Sequence, residues 1–240
     1  MSQFIQANVL NLQSLSFDYT IVRSQRKSAA IHVGSQGVQV RIPYGVSDGW
    51  VEEFVVAKQL WIEQKLLQQQ GRQSRVPNIE IGEKVLFLGE WHLLEFKYVK
   101  RVSMHLEKGV IIYNGPVSPA KSELTLLLQK FFKHQAKQFM VTQTSEKARQ
   151  LKVIERLHEV VFRRTKSKWG HCTSRGRIQY NWLIMGAPIT VIDYLISHEV
   201  SHLIQANHSR AFWSLVAGLC PNYKEHQQWL NDHASELSWC

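Results

Sequence analysis

Cysteine is scarce: 240 residues contain three, Cys172, Cys220 and Cys240, with no C-x-x-C pair among them. An odd, widely spaced set supports neither a disulfide framework nor a cysteine zinc knuckle, and a reducing compartment is the simpler expectation. Long apolar runs are lacking too. No stretch approaches the roughly 18 residues needed to span a bilayer, and MSQFIQANVLNLQSLSFDY at the start has no basic segment followed by an apolar one. The expectation is a cytoplasmic protein with no membrane partner. Acidic residues are few: 19 Asp and Glu against 29 Lys and Arg, a net charge of +10 that favours phosphate-bearing or otherwise acidic partners. Neither a sequence repeat nor a low-complexity tract stands out. What is present, 44% hydrophobic and 20% charged residues, suffices for one large globular domain or two small ones.

Residues 17 to 42 alternate in short runs (Tyr19, Ile21; Ile31, Val33; Val38, Val40, Ile42) around a basic turn, which predicts a β-hairpin region. After Pro43 and Gly45, WVEEFVVAKQLWIEQKLLQQQG carries apolar residues near helical spacing up to Gly71. More strands are expected from Lys84 to Tyr113, with tight turns at Gly89 and Gly109, before GPVSP punctuates the chain. Composition then shifts to a long helical pattern beginning LTLLLQKFFKHQAKQF. The boundary therefore falls at 118/119: a mainly β region with one helix over 1–118, then a helical linker and the chemistry-bearing domain over 119–240. A strand at 160–162 follows, and Pro188 opens the helix ITVIDYLISHEVSHLIQAN in a first turn where a missing N–H costs nothing.

That helix contains His198-Glu199-Val200-Ser201-His202. Histidines four apart sit one turn above each other, so both imidazoles can converge on one metal ion with Glu199 beside its open position. Zinc acidifies a bound water to a pKa near 7, and an adjacent carboxylate can relay the proton to a leaving group, so the arrangement predicts a hydrolase. A catalytic zinc usually has three protein ligands. His208 lies six residues after His202; a helix ending at Asn207 in a left-handed turn would swing it back, whereas Glu225 on the next helix is the competing third ligand. The offset is that of metzincins, but Gln205 stands where they have glycine, and no methionine follows Met185 to form their Met-turn. Ile178, Tyr180, Trp182 and Ile184 alternate like an edge strand leading into this helix, along which an extended peptide could pair.

SKWGHCTSRGRIQYNWLIMGAP, VIDYLISHEVSHLIQANHSRAFW and PNYKEHQQWL together resemble the YgjP-like metallopeptidase family, related to the SprT-like and WLM zincins. Upstream, YTIVRSQRKSAAIHV, GVQVRIPYGV and KQLWIEQKL extend the likeness over most of the chain except about 72–160, where the match is looser. The resemblance implies an α+β fold, a zincin-like metallohydrolase domain preceded by a mainly β N-terminal region. It further implies His198, His202 and His208 as ligands of Zn2+, Glu199 as general base, and a peptide or protein substrate. His171 departs from the small residue usual at its position in the family and reads as an exposed turn histidine, outside the ligand set.

Arg163, Arg164, Lys166, Lys168, Arg175 and Arg177 crowd one segment with Trp169 and no acid. Such a patch suits phosphate, which keeps two alternatives open: a metal-dependent nucleoside triphosphate pyrophosphohydrolase, and a nucleic-acid-associated module whose zinc is structural. Asn181, Tyr223 and His226 are candidates for stabilising an oxyanion, each with a structural role as its plainer explanation. Phe212 and Trp213 are expected to pack behind the ligands, Cys172 and Cys220 to be buried as small hydrophobes, and Asp193 stays unassigned.

Overall fold

The computed structural model describes residues 5–6, 15–34, 37–73 and 76–240. Its contacts divide the chain into two compact units, 1–75 and 76–240. The division lies well before the composition break at 118/119. Its physical reason is that the strands of 84–115 bury their apolar face with the long helix that follows them, in one core.

In the first unit, β1 (Ile5–Gln6), β2 (Tyr19–Ser24), β3 (Ala30–Gly34) and β4 (Gly37–Pro43) form a sheet in the order β1-β2-β4-β3. The expected hairpin is β3–β4; β2 instead pairs in parallel with β4 and is antiparallel to β1. Tyr19, Ile21, Val38, Val40 and Ile42, spaced by two along their strands, turn to one face. That face joins Val51, Val55 and Ile62 of α1 (Asp48–Ala57) and α2 (Gln59–Gln73) in a single core. Ser47 caps α1 by accepting from Trp50 N–H at 3.3 Å, and the one helix expected here breaks in two at Lys58.

The second unit opens with β5 (Lys84–Phe87), β6 (Glu90–Tyr98), β7 (Ser103–Glu107) and β8 (Val110–Gly115) in the order β5-β6-β8-β7. Order and sense reproduce the first sheet: first against second antiparallel, second with fourth parallel, third against fourth antiparallel. A topology thus recurs where no sequence repeat is evident. Next, α3 (Lys121–Gln150) presents a stripe of Leu124, Leu128, Phe131, Phe132, Ala136, Met140 and Ala148 to the core. Three strands, β9 (Glu159–Arg163), β10 (Gly170–Cys172) and β11 (Arg177–Asn181), form a second sheet in the order β10-β11-β9. A 3-10 turn at Trp182–Gly186 leads to α4 (Ile189–Ser201), followed by α5 (Arg210–Leu219) and α6 (Tyr223–His233). No helix among the described residues is long and apolar enough to cross a membrane.

The β5–β6 turn reaches the segment that launches α4. Leu88 and Gly89, at φ 52° and 87°, make a tight two-residue turn. Leu88 N–H donates to Met185 O at 2.7 Å and Gly89 N–H to Gly186 O at 3.0 Å. A Cβ on Gly89 would stand 2.9 Å from Pro188 Cα. Gly89→Ala therefore combines a left-handed alanine with a backbone clash and should cost about 2 kcal/mol or more. Thermal unfolding would show it as a fall of roughly 4 °C or more; an unchanged midpoint would mean that the turn yields freely.

Candidate metal centre

α4 is almost wholly buried, with residues 191–192, 194–197 and 199–201 all inside. A helix apolar on nearly every face belongs at the centre of a fold, where its few polar groups are held firmly. Pro188 precedes its first turn. The helix ends at Ser201, earlier than the Asn207 terminus expected from the sequence, and Asn207 is not left-handed. Tightened i→i+3 bonds close it instead: Leu203 N–H to Val200 O at 3.0 Å and Ile204 N–H to Ser201 O at 3.1 Å, with the Arg156 guanidinium donating to Leu203 O at 3.1 Å. The chain then turns through Asn207, whose Oδ1 accepts from Ser209 N–H, and Ser209 caps α5 through Phe212 N–H.

This reversal returns His208 to the helix. Its Nε2 lies 3.1 Å from His198 Nε2, and one ring nitrogen from each of His198, His202 and His208 falls within 4.8 Å of the others. Nitrogens bonded tetrahedrally to one zinc at about 2.0–2.1 Å would be about 3.3 Å apart. Burial holds His198 down to about 4, assisted by the neighbouring His202 and His208, and lowers His202 as well. His202 Nδ1–H donates to Gln205 O at 3.0 Å, which leaves Nε2 with its lone pair. An all-imidazole donor set suits zinc and similar transition metals better than calcium or magnesium, which prefer oxygen.

Phe212 backs all three rings, its centroid 4.9, 4.4 and 4.8 Å from those of His198, His202 and His208. Trp213 lies 5.8 Å from His198 and His208 and stacks on Tyr223. These aromatics fix the imidazoles by packing.

Glu199 is 3% exposed. The Cys172 backbone N–H donates to its carboxylate, while Oε2 is buried without a partner. Desolvation pushes its carboxyl up to about 8, against the opposing pull of the Lys168 ammonium and the Cys172 N–H. Space for this carboxylate comes from Gly170: a Cβ there would approach Glu199 Cγ and Cδ to 2.6 Å. A glycine within a short strand signals such an approach in the sequence, yet neither Gly170 nor the Cys172 amide was singled out there.

A cleft of about 500 Å³ opens over these groups, lined also by Lys168, His171, Leu195, Gln227 and Asn231. Its strand wall is β10, not the expected run from Ile178. Only the first half of that run is a strand: Ile178 and Tyr180 lie on β11, the central strand of its sheet, while Trp182 and Ile184 belong to the 3-10 turn, and all four are buried in the core. Trp169 O and Thr173 N–H bond toward β11, so Gly170 and Cys172 direct their backbone groups outward. His171 sits on this strand rather than in a turn, and outside the histidine cluster.

Other expected residues lie elsewhere. Asn181 donates to Thr165 O at 3.1 Å and accepts from Leu183 N–H at 3.2 Å. His226 lines a different groove with Asp193, and neither it, Asn181 nor Tyr223 lines the histidine cleft. Glu225, the rival ligand, is outside both the cleft and the cluster. Asp193 pairs with Lys147 at 2.9 Å and ties α4 to α3. Cys220 is buried as expected, but Cys172 is half-buried in the cleft wall, its thiol raised to about 11 by burial and by Glu199. Of the basic cluster, Arg177 is paired with Glu159 at 2.9 Å, and only Lys168 lines the cleft.

The family profile described as "YgjP-like, metallopeptidase domain" matches residues 27–233. The chain belongs to this family. No curated protein matches it. Members of the YgjP-like family are metallopeptidase-type hydrolases, which implies a divalent metal, and the three histidines are the group of described residues that could hold one.

Proposed function

We propose that this YgjP-like protein is a zinc metallopeptidase that hydrolyses a peptide bond in an extended polypeptide. His198, His202 and His208 would hold the zinc, and the observation that carries the reading is their convergence beside the unpartnered Oε2 of a buried Glu199. A zinc ion held there supplies Lewis acidity, polarising a carbonyl and making water easier to deprotonate. Glu199 takes a proton from the attacking water at Oε2, the water oxygen bonds to the carbonyl carbon, and the C–N bond breaks as the carboxyl delivers that proton to the amine nitrogen. The Cys172 N–H keeps the carboxylate oriented throughout. The outward backbone groups of Gly170 and the Cys172 carbonyl can pair with a substrate strand and set its scissile bond over the histidines.

Lys168 favours an anionic substrate and so supports nucleoside triphosphate hydrolysis as the second reading. Polypeptide is preferred because one ammonium is a poor match for a triphosphate, whereas an open strand edge matches a peptide. Zinc-loaded protein incubated separately with an unfolded polypeptide and with nucleoside triphosphates should generate new N-termini by mass spectrometry and release no phosphate or pyrophosphate. A chelator should abolish the cleavage. Nucleotide hydrolysis without peptide cleavage would overturn the assignment.

A further inference from the structure

Both β10 and α6 pack on α4, and both line the cleft. From α6 the cleft receives Gln227 and Asn231, flanking the buried Leu230. Gln227 is half-buried and Asn231 exposed, and neither side chain has a hydrogen-bond partner among the described residues, in contrast to the adjacent Gln228, whose amide donates to Asp232 at 3.0 Å. Residues four apart on a helix rise by about 6.0 Å. An extended chain presents equivalent backbone groups every second residue, about 6.6 Å apart. A carboxamide both donates and accepts, so each can meet either an N–H or a C=O.

We infer that Gln227 and Asn231 clamp the main chain of an extended polypeptide from the side opposite β10, so that both of its edges are hydrogen-bonded in the cleft. The inference rests on the peptidase reading and deepens it: recognition is by backbone, largely independent of side-chain sequence, and demands an unfolded segment. A folded strand within a sheet has its edges occupied and cannot be gripped in this way. A nucleotide offers neither the period nor the alternation of donors and acceptors.

Titration calorimetry on the zinc-loaded chain tests this with two probes that the metal anchors, acetohydroxamate and a tripeptide hydroxamate. The tripeptide should bind tighter than acetohydroxamate. Gln227→Ala and Asn231→Ala should each reduce that advantage about fivefold, and the double variant roughly twentyfold, one hydrogen bond apiece. Acetohydroxamate affinity and zinc stoichiometry should stay unchanged, which shows the site intact. Methylating the tripeptide's amide nitrogens one at a time should identify an N–H whose loss weakens binding to the wild type but not to the double variant. A tripeptide advantage that survives in the double variant overturns the clamp and leaves the peptidase reading standing. No advantage in the wild type overturns the peptidase reading and the clamp with it.

Discussion

Glu199→Gln is expected to lower hydrolysis by about 10²–10⁴-fold with zinc content unchanged, and to stabilise the metal-free protein at alkaline pH. The first effect follows from removing the one carboxylate that, among the described residues, lines the cleft beside the histidine cluster. The second follows from its burial. In the metal-free chain the carboxyl titrates at about 8, against 4.5 when exposed. Below pH 4.5 it is protonated whether folded or unfolded, and folding is not penalised. Between 4.5 and 8 the unfolded chain ionises while the folded one does not, so stability falls by up to about 1.4 kcal/mol per pH unit and levels off above 8. Glutamine does not titrate. After allowing for its own buried amide, the variant should gain roughly 2 kcal/mol at pH 9, or about 4–8 °C in Tm, and little at pH 5. Unfolding scans in chelator at both pH values would measure it. A gain that does not grow with pH would mean that the carboxylate is better solvated than its burial indicates. Loaded zinc should shrink the gain, because a dication favours the ionised carboxylate.

Gly170→Ala should lower activity at least 100-fold while leaving zinc bound. The alanine methyl would overlap the Glu199 side chain, with Cγ and Cδ at 2.6 Å, and the carboxylate is too enclosed to yield without leaving the Cys172 N–H. A displacement of about 1 Å at a reacting group can cost about 10² in rate. Because the nearest atoms to the added methyl all belong to Glu199, metal analysis separates this loss from destruction of the site. Near wild-type turnover in Gly170→Ala would show that the carboxylate tolerates repositioning, and would weaken its assignment as the base.

The histidine cluster was legible in the sequence because its geometry is local. Spacing of four on a helix places His198 and His202 on one face whatever surrounds them, and His208 needed only a chain reversal within six residues. The mechanism of that reversal was not legible, since it uses Arg156 from 47 residues upstream to hold Leu203 O. Strand adjacency is non-local in the same way. Nothing in RIQYN or GHC states which strand is central, and alternation marks a buried face without marking a free edge. Asn181 fits an oxyanion role by chemistry alone, but both ends of its amide are engaged by Thr165 O and Leu183 N–H. The boundary moved for a related reason: a change in composition at GPVSP separates secondary-structure types, while the cores on either side of it are one.

The hydrogen bonds from Leu88 and Gly89 onto Met185 and Gly186 have a mechanical consequence. They brace the chain three residues before α4 begins, and His198 stands ten residues beyond Pro188, a lever arm of about 15 Å. Over that length a tilt of about 4° at the fulcrum moves the imidazole by about 1 Å. A hairpin tip far along the chain from the histidines therefore sets their aim, and a fragment begun at residue 119 would keep all three histidines while losing the brace that points them.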